Sequence, residues 1–277
     1  EQNGLAVAPP IVPAATLHRL IRQYTYEAGV RNLEREIGSI CRKATMRLAA
    51  GKPPVRTITV QSLQRYLGPP RYQQEHAEVE NLVGLSMGLA WTPNGGDLLP
   101  VEVTLTPGKG NLTLTGQLGD VMQESARAAL TYLRSQAAVW SIPAEAFEKC
   151  DIHIHFPEGS IAKDGPSGGI TIATALVSAF TGYPVRHAVA MTGEITLRGR
   201  VLAVGGLKEK LLAAHRAGVR TVILPARNRK DIQDVPKEIR KQLSLVYVET
   251  MDEVLDGALI RPTDVELAPG DSAPQTA

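Results

Sequence analysis

Residues Ile170 to Phe180 read Ile-Thr-Ile-Ala-Thr-Ala-Leu-Val-Ser-Ala-Phe, and as a helix this run is apolar on every side. Such a helix cannot lie on a surface and must be enclosed by the fold. Directly before it stands Lys163-Asp164-Gly165-Pro166-Ser167-Gly168-Gly169. A buried helix therefore begins at a serine flanked by glycines. The first amides of a helix have no partner within it, and its N-terminal end carries partial positive charge. A hydroxyl placed there can be exposed and electrostatically supported at once, which is where an oxyanion can form. The plainer alternative is that Ser167 only caps a helix after a Pro-Gly turn.

Composition narrows the classes. The 277 residues are 43% hydrophobic and 21% charged, a globular balance able to build a core without staples. A formal net charge of +2 gives no strong field toward nucleic acid or a membrane. The two cysteines, Cys41 and Cys150, lack CxxC spacing and read as two buried thiols in a reduced compartment, with a structural disulfide the weaker reading. No metal-type Cys/His cluster occurs. No secretory signal opens the chain, and no apolar stretch reaches the ~20 residues of a membrane span. With no initiator Met, the chain is expected to be a piece of something longer.

The pattern predicts an α+β protein with two parts. Residues 1–68 read as a small helical unit. Leu17, Leu20, Ile21 and Tyr24 share one helical face, and Leu33, Ile37, Cys41, Ala44 and Leu48 continue at helical spacing. A short β-like Thr57–Val60 precedes a last helix around Leu63–Leu67. Residues 69–80 are polar and Pro-containing, a linker. From 81 to 262 the pattern is mixed α/β. Val101–Leu105 and Leu112–Thr115 alternate as strands, and Pro107-Gly108-Lys109-Gly110 would join them as a hairpin. A helix is expected from Asp120 to Trp140, then strand Ile152–Phe156, the Ser167 loop and the apolar helix. Strands Ala188–Met191, Val201–Val204, Thr221–Leu224 and Leu245–Val248 follow, with a helix at Lys208–Ala217. Residues 263–277 are Pro, Asp and Ala rich and are expected to be disordered.

If Ser167 is a nucleophile it needs a base. Gly165-Pro166-Ser167-Gly168-Gly169 matches G-x-S-x-G, but the tight strand–turn–helix of an elbow is missing, since eight residues separate the strand from the motif. Between Ser167 and the last histidine, His215, the acidic residues are Glu194 and Glu209. A Ser167–Glu194–His215 arrangement is the conventional possibility. A lysine is the other. An exposed lysine with pKa ~10.4 is neutral in only about one molecule in 2,500 at pH 7, so a lysine base must be buried. Lys210, set among Leu207, Leu211, Leu212, Ala213 and Ala214, fits that demand, whereas Lys208 falls on a different helical face.

Three segments now carry a resemblance: Lys163–Gly169, Met191-Thr192-Gly193-Glu194-Ile195-Thr196-Leu197-Arg198-Gly199, and Gly205-Gly206-Leu207-Lys208-Glu209-Lys210-Leu211-Leu212-Ala213-Ala214-His215-Arg216. In this order they closely resemble the Lon family of ATP-dependent serine proteases. Tyr24 to Ile37 is similar to the helical end of the Lon ATPase module. The resemblance implies an AAA+ helical subdomain at 1–68 and a Lon-type proteolytic domain at 81–262. It also implies a Ser-Lys dyad of Ser167 and Lys210, whose separation of 43 residues is that of the family. Thr192 corresponds to the threonine that bonds the lysine amine. Asp164 and Glu194 match acidic positions of the site, and His153 and His155 match histidines near it, although strand alternation turns both away from the Ile152/Ile154/Phe156 face. Backbone amides of Ser167 and Gly168 would hold the oxyanion. Arg31 falls at a nucleotide-sensor position, or is simply a helix-start arginine beside Glu34. Ala162 stands where Pro is common and Gly168 where Ala is common; neither change removes a reactive group.

By the same resemblance the whole protein degrades unfolded or tagged proteins as a cytoplasmic homohexamer, with ATP and Mg. This chain contains no GxxxxGK[ST], so no cofactor and no ATP hydrolysis are expected of it. Substrate would lie extended beside an exposed strand, with Trp91 and Met87 as wall residues. The non-enzymatic possibility is an assembly module of an AAA+ machine.

Overall fold

The computed structural model describes residues 10–27, 29–72, 80–157 and 163–262. Most of the linker expected at 69–80, and all of the tail expected at 263–277, lie outside the described residues. The chain divides into two units, one of residues 1–75 with 93–95 and the other of the remainder.

In the first unit, α1 (Ala14–Tyr24), α2 (Arg31–Ala49) and α3 (Leu63–Leu67) enclose Leu20, Tyr24, Ile40, Ile58, Leu63 and Tyr66. The Glu27 carboxylate accepts from the Asn32 and Leu33 amides, both at 2.8 Å, and so serves the open N-terminus of α2. The strand expected at Thr57–Val60 is not there. Ile58 donates to the Ile11 carbonyl in an isolated bridge, and Val60–Ser62 form a 3₁₀ turn whose Ser62 amide is capped by Thr59. β-branched residues favour extended backbone, but among the described residues of this unit no ladder receives them.

The second unit is built on a sheet. Its elements in chain order are β1 (Leu85–Thr92), β2 (Gly95–Pro107), β3 (Leu112–Thr115), α4 (Asp120–Ser135), α5 (Ala146–Lys149), β4 (Cys150–His155), α6 (Gly169–Thr181), β5 (Val189–Met191), β6 (Glu194–Ile195), β7 (Val201–Leu202), α7 (Leu207–Arg216), β8 (Thr221–Pro225), α8 (Lys237–Gln242), β9 (Ser244–Val248) and α9 (Met251–Ala258). Seven strands form one sheet in the order β3-β4-β2-β1-β5-β8-β9, and β6 and β7 pair separately. The β1/β5, β5/β8 and β8/β9 pairs are parallel. Period-two alternation sorts the strand residues between two faces. Val189, Met191 and Ile223 join the core of α4, α6 and α9, whereas Ala190, Val222 and Leu224 join the core beneath α7. Helix α6 is enclosed as its composition requires, with Gly169 through Ser178 all buried.

A further expectation, the hairpin, is overturned. β2 and β3 do not pair as a hairpin, because β4 lies between them. Val103 faces Ile154 in an antiparallel pair, and Leu114 faces Ile154 in a parallel one. Ile152 and Ile154 are fully buried, and a central place satisfies both edges of their strand. The turn 107–111 wraps the start of β4 instead of closing on itself. Asp151 Oδ1 accepts from the Lys109 amide at 2.8 Å and the Asn111 amide at 2.9 Å, which holds its carboxyl below the usual range. A Cβ on Gly108 would stand 2.2 Å from Asp151 Cγ. The helix expected to run to Trp140 ends at Ser135, and β1, whose residues 86–89 are buried without alternation, was not anticipated. No described helix is long and apolar enough to cross a membrane.

Because α6 has no exposed face, truncating it should be costly. Ile172→Ala is expected to lower stability by about 3 kcal/mol in urea unfolding. Val139→Ala, at a position 70% exposed, should change it by less than about 0.5 kcal/mol.

Candidate active site

The Ser167 loop is fastened before the helix begins. The Lys163 amide donates to the Gln117 carbonyl at 3.0 Å, and the Gly119 amide to the Lys163 carbonyl at 2.8 Å. The Asp164 carboxylate then accepts from the Met122 amide at 3.0 Å and its neighbour Gly165 at 2.8 Å. Met122 lies in the first turn of α4, so Asp164 caps that helix from 42 residues away. A Cβ on Gly119 would stand 2.3 Å from Asp164 Cγ, so this approach depends on glycine. Gly165 follows with φ of +119°, and Pro166–Gly168 form a 3₁₀ turn that places half-buried Ser167 at the entrance to α6. The Gly169 amide donates to the Pro166 carbonyl, and Ile170 donates to Gly193.

Thr192 follows β5 and is fully buried. Its amide donates to Ile223, and its hydroxyl to the Ser167 carbonyl at 3.3 Å. The Gly193 amide also donates to that carbonyl, at 2.9 Å. The end of β5 thus holds the serine backbone from behind.

Helix α7 brings the lysine. Gly206, at φ of +67°, starts the helix, and Lys210 faces inward with Leu207, Leu211 and Ala214 while Lys208 is exposed. Lys210 is only 2% exposed. Its Nζ donates to Thr192 Oγ1 at 3.0 Å. Burial favours the neutral amine and brings its pKa down from 10.5 to about 8. At pH 7 about one molecule in ten then carries a neutral amine. The helix sits backbone to backbone on the sheet. A Cβ on Gly96 would be 1.9 Å from the Glu209 carbonyl oxygen, and Arg216 donates to the Gly96 carbonyl at 2.8 Å with Asp97 at 3.7 Å.

Ser167 and Lys210 line one cleft of about 570 Å³, with Trp91, Leu99, Met122, Asp164 and Gly205 among its walls. Among the described residues no hydrogen bond joins Ser167 Oγ to Lys210 Nζ; the recorded partner of the amine is Thr192.

Comparison with known families matches residues 57–261 to the Lon protease (S16) C-terminal proteolytic domain, and residues 1–56 to the Lon protease AAA+ ATPase lid domain. The chain belongs to the Lon protease family. It is 54% identical over 274 residues to a Lon protease of Syntrophomonas wolfei, covering 99% of this chain and 34% of that protein. To a Lon protease of Brevibacillus choshinensis it is 58% identical over 261 residues, 94% of this chain and 34% of the relative. Lon protease 2 of Thermus thermophilus is 56% identical over 261 residues, 94% and 32%. The chain therefore spans about a third of the length of these Lon proteases.

The remaining candidates in this Lon-family chain, Trp91 apart, fall outside the cleft. Glu194 begins β6, half-buried, and is not among the cleft walls. His215 lies five positions beyond Lys210 and bonds Gln242 at 2.9 Å. Ser167, Glu194 and His215 are therefore not assembled as a triad. His153 and His155 lie on the face opposite Ile152 and Ile154, and both bond Thr115 Oγ1, at 2.8 and 2.7 Å. Trp91 does line the cleft, 58% exposed, but Met87 is buried in the core beneath α7. Arg31 is exposed at the first residue of α2. Cys41 and Cys150 are free, half-buried thiols. Among the described residues no group of three or more His, Cys, Asp or Glu could hold a metal. Asn228, buried at 2% exposure and bonded to the backbone of Val204 beside the cleft, went unseen in the sequence. It sits in the charged run Arg227–Lys230, which carries no sign of a buried amide.

The lysine also makes a stability prediction. Its folded pKa, about 8, lies below the unfolded value of 10.5. The unfolded chain thus binds more protons between those limits, and stability from this group rises with pH across them. Below pH 8 the full penalty, on the order of 3 kcal/mol, is present. Lys210→Met should therefore match or exceed the parent chain's stability at pH 7, and its advantage should shrink as pH rises from 8 toward 10.5. Denaturant titrations at pH 7 and 9.5 check this.

Proposed function

We propose that the chain is the proteolytic part of an ATP-dependent serine endopeptidase, with Ser167 as nucleophile and Lys210 as its base. The observation that carries this reading is the buried amine of Lys210, brought into reach of neutrality and placed on the same cleft as Ser167. The step requires Nζ, which donates to Thr192 Oγ1, also to come within hydrogen-bond reach of the serine hydroxyl. The neutral amine removes the Ser167 proton as Oγ attacks the scissile carbonyl. The amides of Ser167 and Gly168 stabilise the oxyanion, since Gly169 and Ile170 already have acceptors. The lysine ammonium then donates its proton to the leaving amine, and water hydrolyses the acyl-enzyme by the same base. Thr192 orients the amine throughout. Asp164 acts through the position of the loop, by its bond to α4. Glu194 and the histidine pair take no part in the chemistry.

In the whole protein we place this unit in a cytoplasmic homohexamer acting on unfolded or tagged proteins. ATP and Mg would bind outside this chain, and Arg31 would reach the nucleotide from the lid. The Lon membership and the near-complete coverage of this chain by Lon relatives support that placement.

Ser167→Ala should reduce hydrolysis of a fluorogenic peptide by about 10³-fold or more while the melting temperature stays within about 2 °C. His215→Ala should retain activity; its loss would favour a histidine-dependent mechanism instead. A serine-directed fluorophosphonate should label Ser167, and an unlabelled chain would leave only the assembly-module reading. Activity should climb about tenfold per pH unit below 8 and level off above it, following the neutral amine. Phosphate release from ATP by this chain alone should be indistinguishable from the blank.

A further inference from the structure

The cleft has one wall whose backbone is held from outside. After β7 the chain runs Ala203-Val204-Gly205-Gly206 into α7. The Asn228 side chain clips its middle. The Val204 amide donates to Asn228 Oδ1 at 3.0 Å, and Asn228 Nδ2 donates to the Val204 carbonyl at 2.8 Å. Nδ2 also donates to Asp231 Oδ2 at 2.7 Å, which fixes which end of the amide is which. One side chain thus supplies the donor and acceptor that a neighbouring strand would supply.

The geometry has a consequence for the residues on either side. A trans peptide points its carbonyl and its amide in opposite directions, and the chain has no cis peptide among the described residues. The amide and carbonyl of Val204 both turn toward Asn228, so the Ala203 carbonyl and the Gly205 amide point to the opposite side. Both residues are exposed and both line the cleft with Ser167. Among the described residues neither makes a main-chain hydrogen bond. The far end of the segment is closed by Trp91, whose Cβ would stand 2.8 Å from a Cβ on Gly206.

We infer that Ala203–Gly205 is a ledge that pairs with the main chain of an extended polypeptide substrate, and that Asn228 is the positioning residue that holds the ledge in register. This rests on the hydrolase reading above and specifies how that site holds its substrate. Recognition through backbone groups selects chains that can become extended and is indifferent to most side chains. A folded segment, its amides already paired, cannot use it.

The test separates binding from chemistry. The full chain carrying Ser167→Ala is titrated against a short fluorescein-labelled peptide, followed by anisotropy, with single amide-to-ester replacements walked along the peptide. Each lost hydrogen bond should raise Kd about fivefold, at alternate positions only. Adding Asn228→Ala should raise Kd about tenfold and flatten that alternation, in a chain whose circular dichroism matches the parent. A purely structural role for Asn228 would leave the alternating pattern intact, and that result overturns the assignment. Ester replacements that cost nothing, or cost the same everywhere, overturn the ledge itself, and this arm holds even if Asn228→Ala fails to fold. A chain that labels with fluorophosphonate at Ser167 but binds no peptide would refute the ledge while the hydrolase proposal stands.

Discussion

Enclosing α6 on all sides is the constraint from which the rest of this domain follows. A helix without a solvent face cannot leave its first amides to water, so protein must come to its N-terminus. Gly193 comes from the end of β5, Asp164 anchors the incoming loop to α4, and glycines at 119, 168 and 169 allow these parts to approach. A Cβ on Gly169 would stand 2.9 Å from Ile195 and 3.0 Å from the Ser125 hydroxyl. The serine is presented at the one place where this crowding opens into a cleft.

The lysine is the counterpart of that arrangement. Placing an ammonium in the protein interior is unfavourable, and among the described residues one hydrogen bond, to Thr192, accompanies it. A solvated lysine at the same point would be more stable and chemically inert. The domain therefore holds a group that opposes folding, a common property of sites where reactivity depends on a displaced pKa. Thr192 joins the two halves, since its one hydroxyl accepts from Lys210 and donates to the Ser167 backbone.

Local chemistry was legible in the sequence, and long-range pairing was not. The apolar run gave away α6, and the contrast between Lys208 and Lys210 followed from helical spacing alone, because burial along a helix is a property of neighbouring residues. The order of strands is not such a property. Val101–Leu105 and Leu112–Thr115 look like two arms of a hairpin across a Gly-rich turn, and nothing local announces that a strand some 40 residues later enters between them. The same reasoning covers Asp164, legible as an acidic residue of the site but not as the cap of a helix that starts 44 residues earlier. Asn228 looks like any polar residue in a charged stretch until the fold buries it. The Lon resemblance supplied Thr192, for which no spacing argument existed.

The contact between Gly96 and Glu209 bears on how such a cleft can be re-engineered. Because the strand and the lysine helix meet backbone to backbone, with 1.9 Å left where a methyl group would go, the gap between the two walls is set by the peptide chain itself. Diversifying Trp91 or Leu99 can change what fills the cleft, but no choice of side chain can widen it at this seam. Broader mouths would have to come from inserting residues in the turn before Gly96, a change of chain length and not of composition.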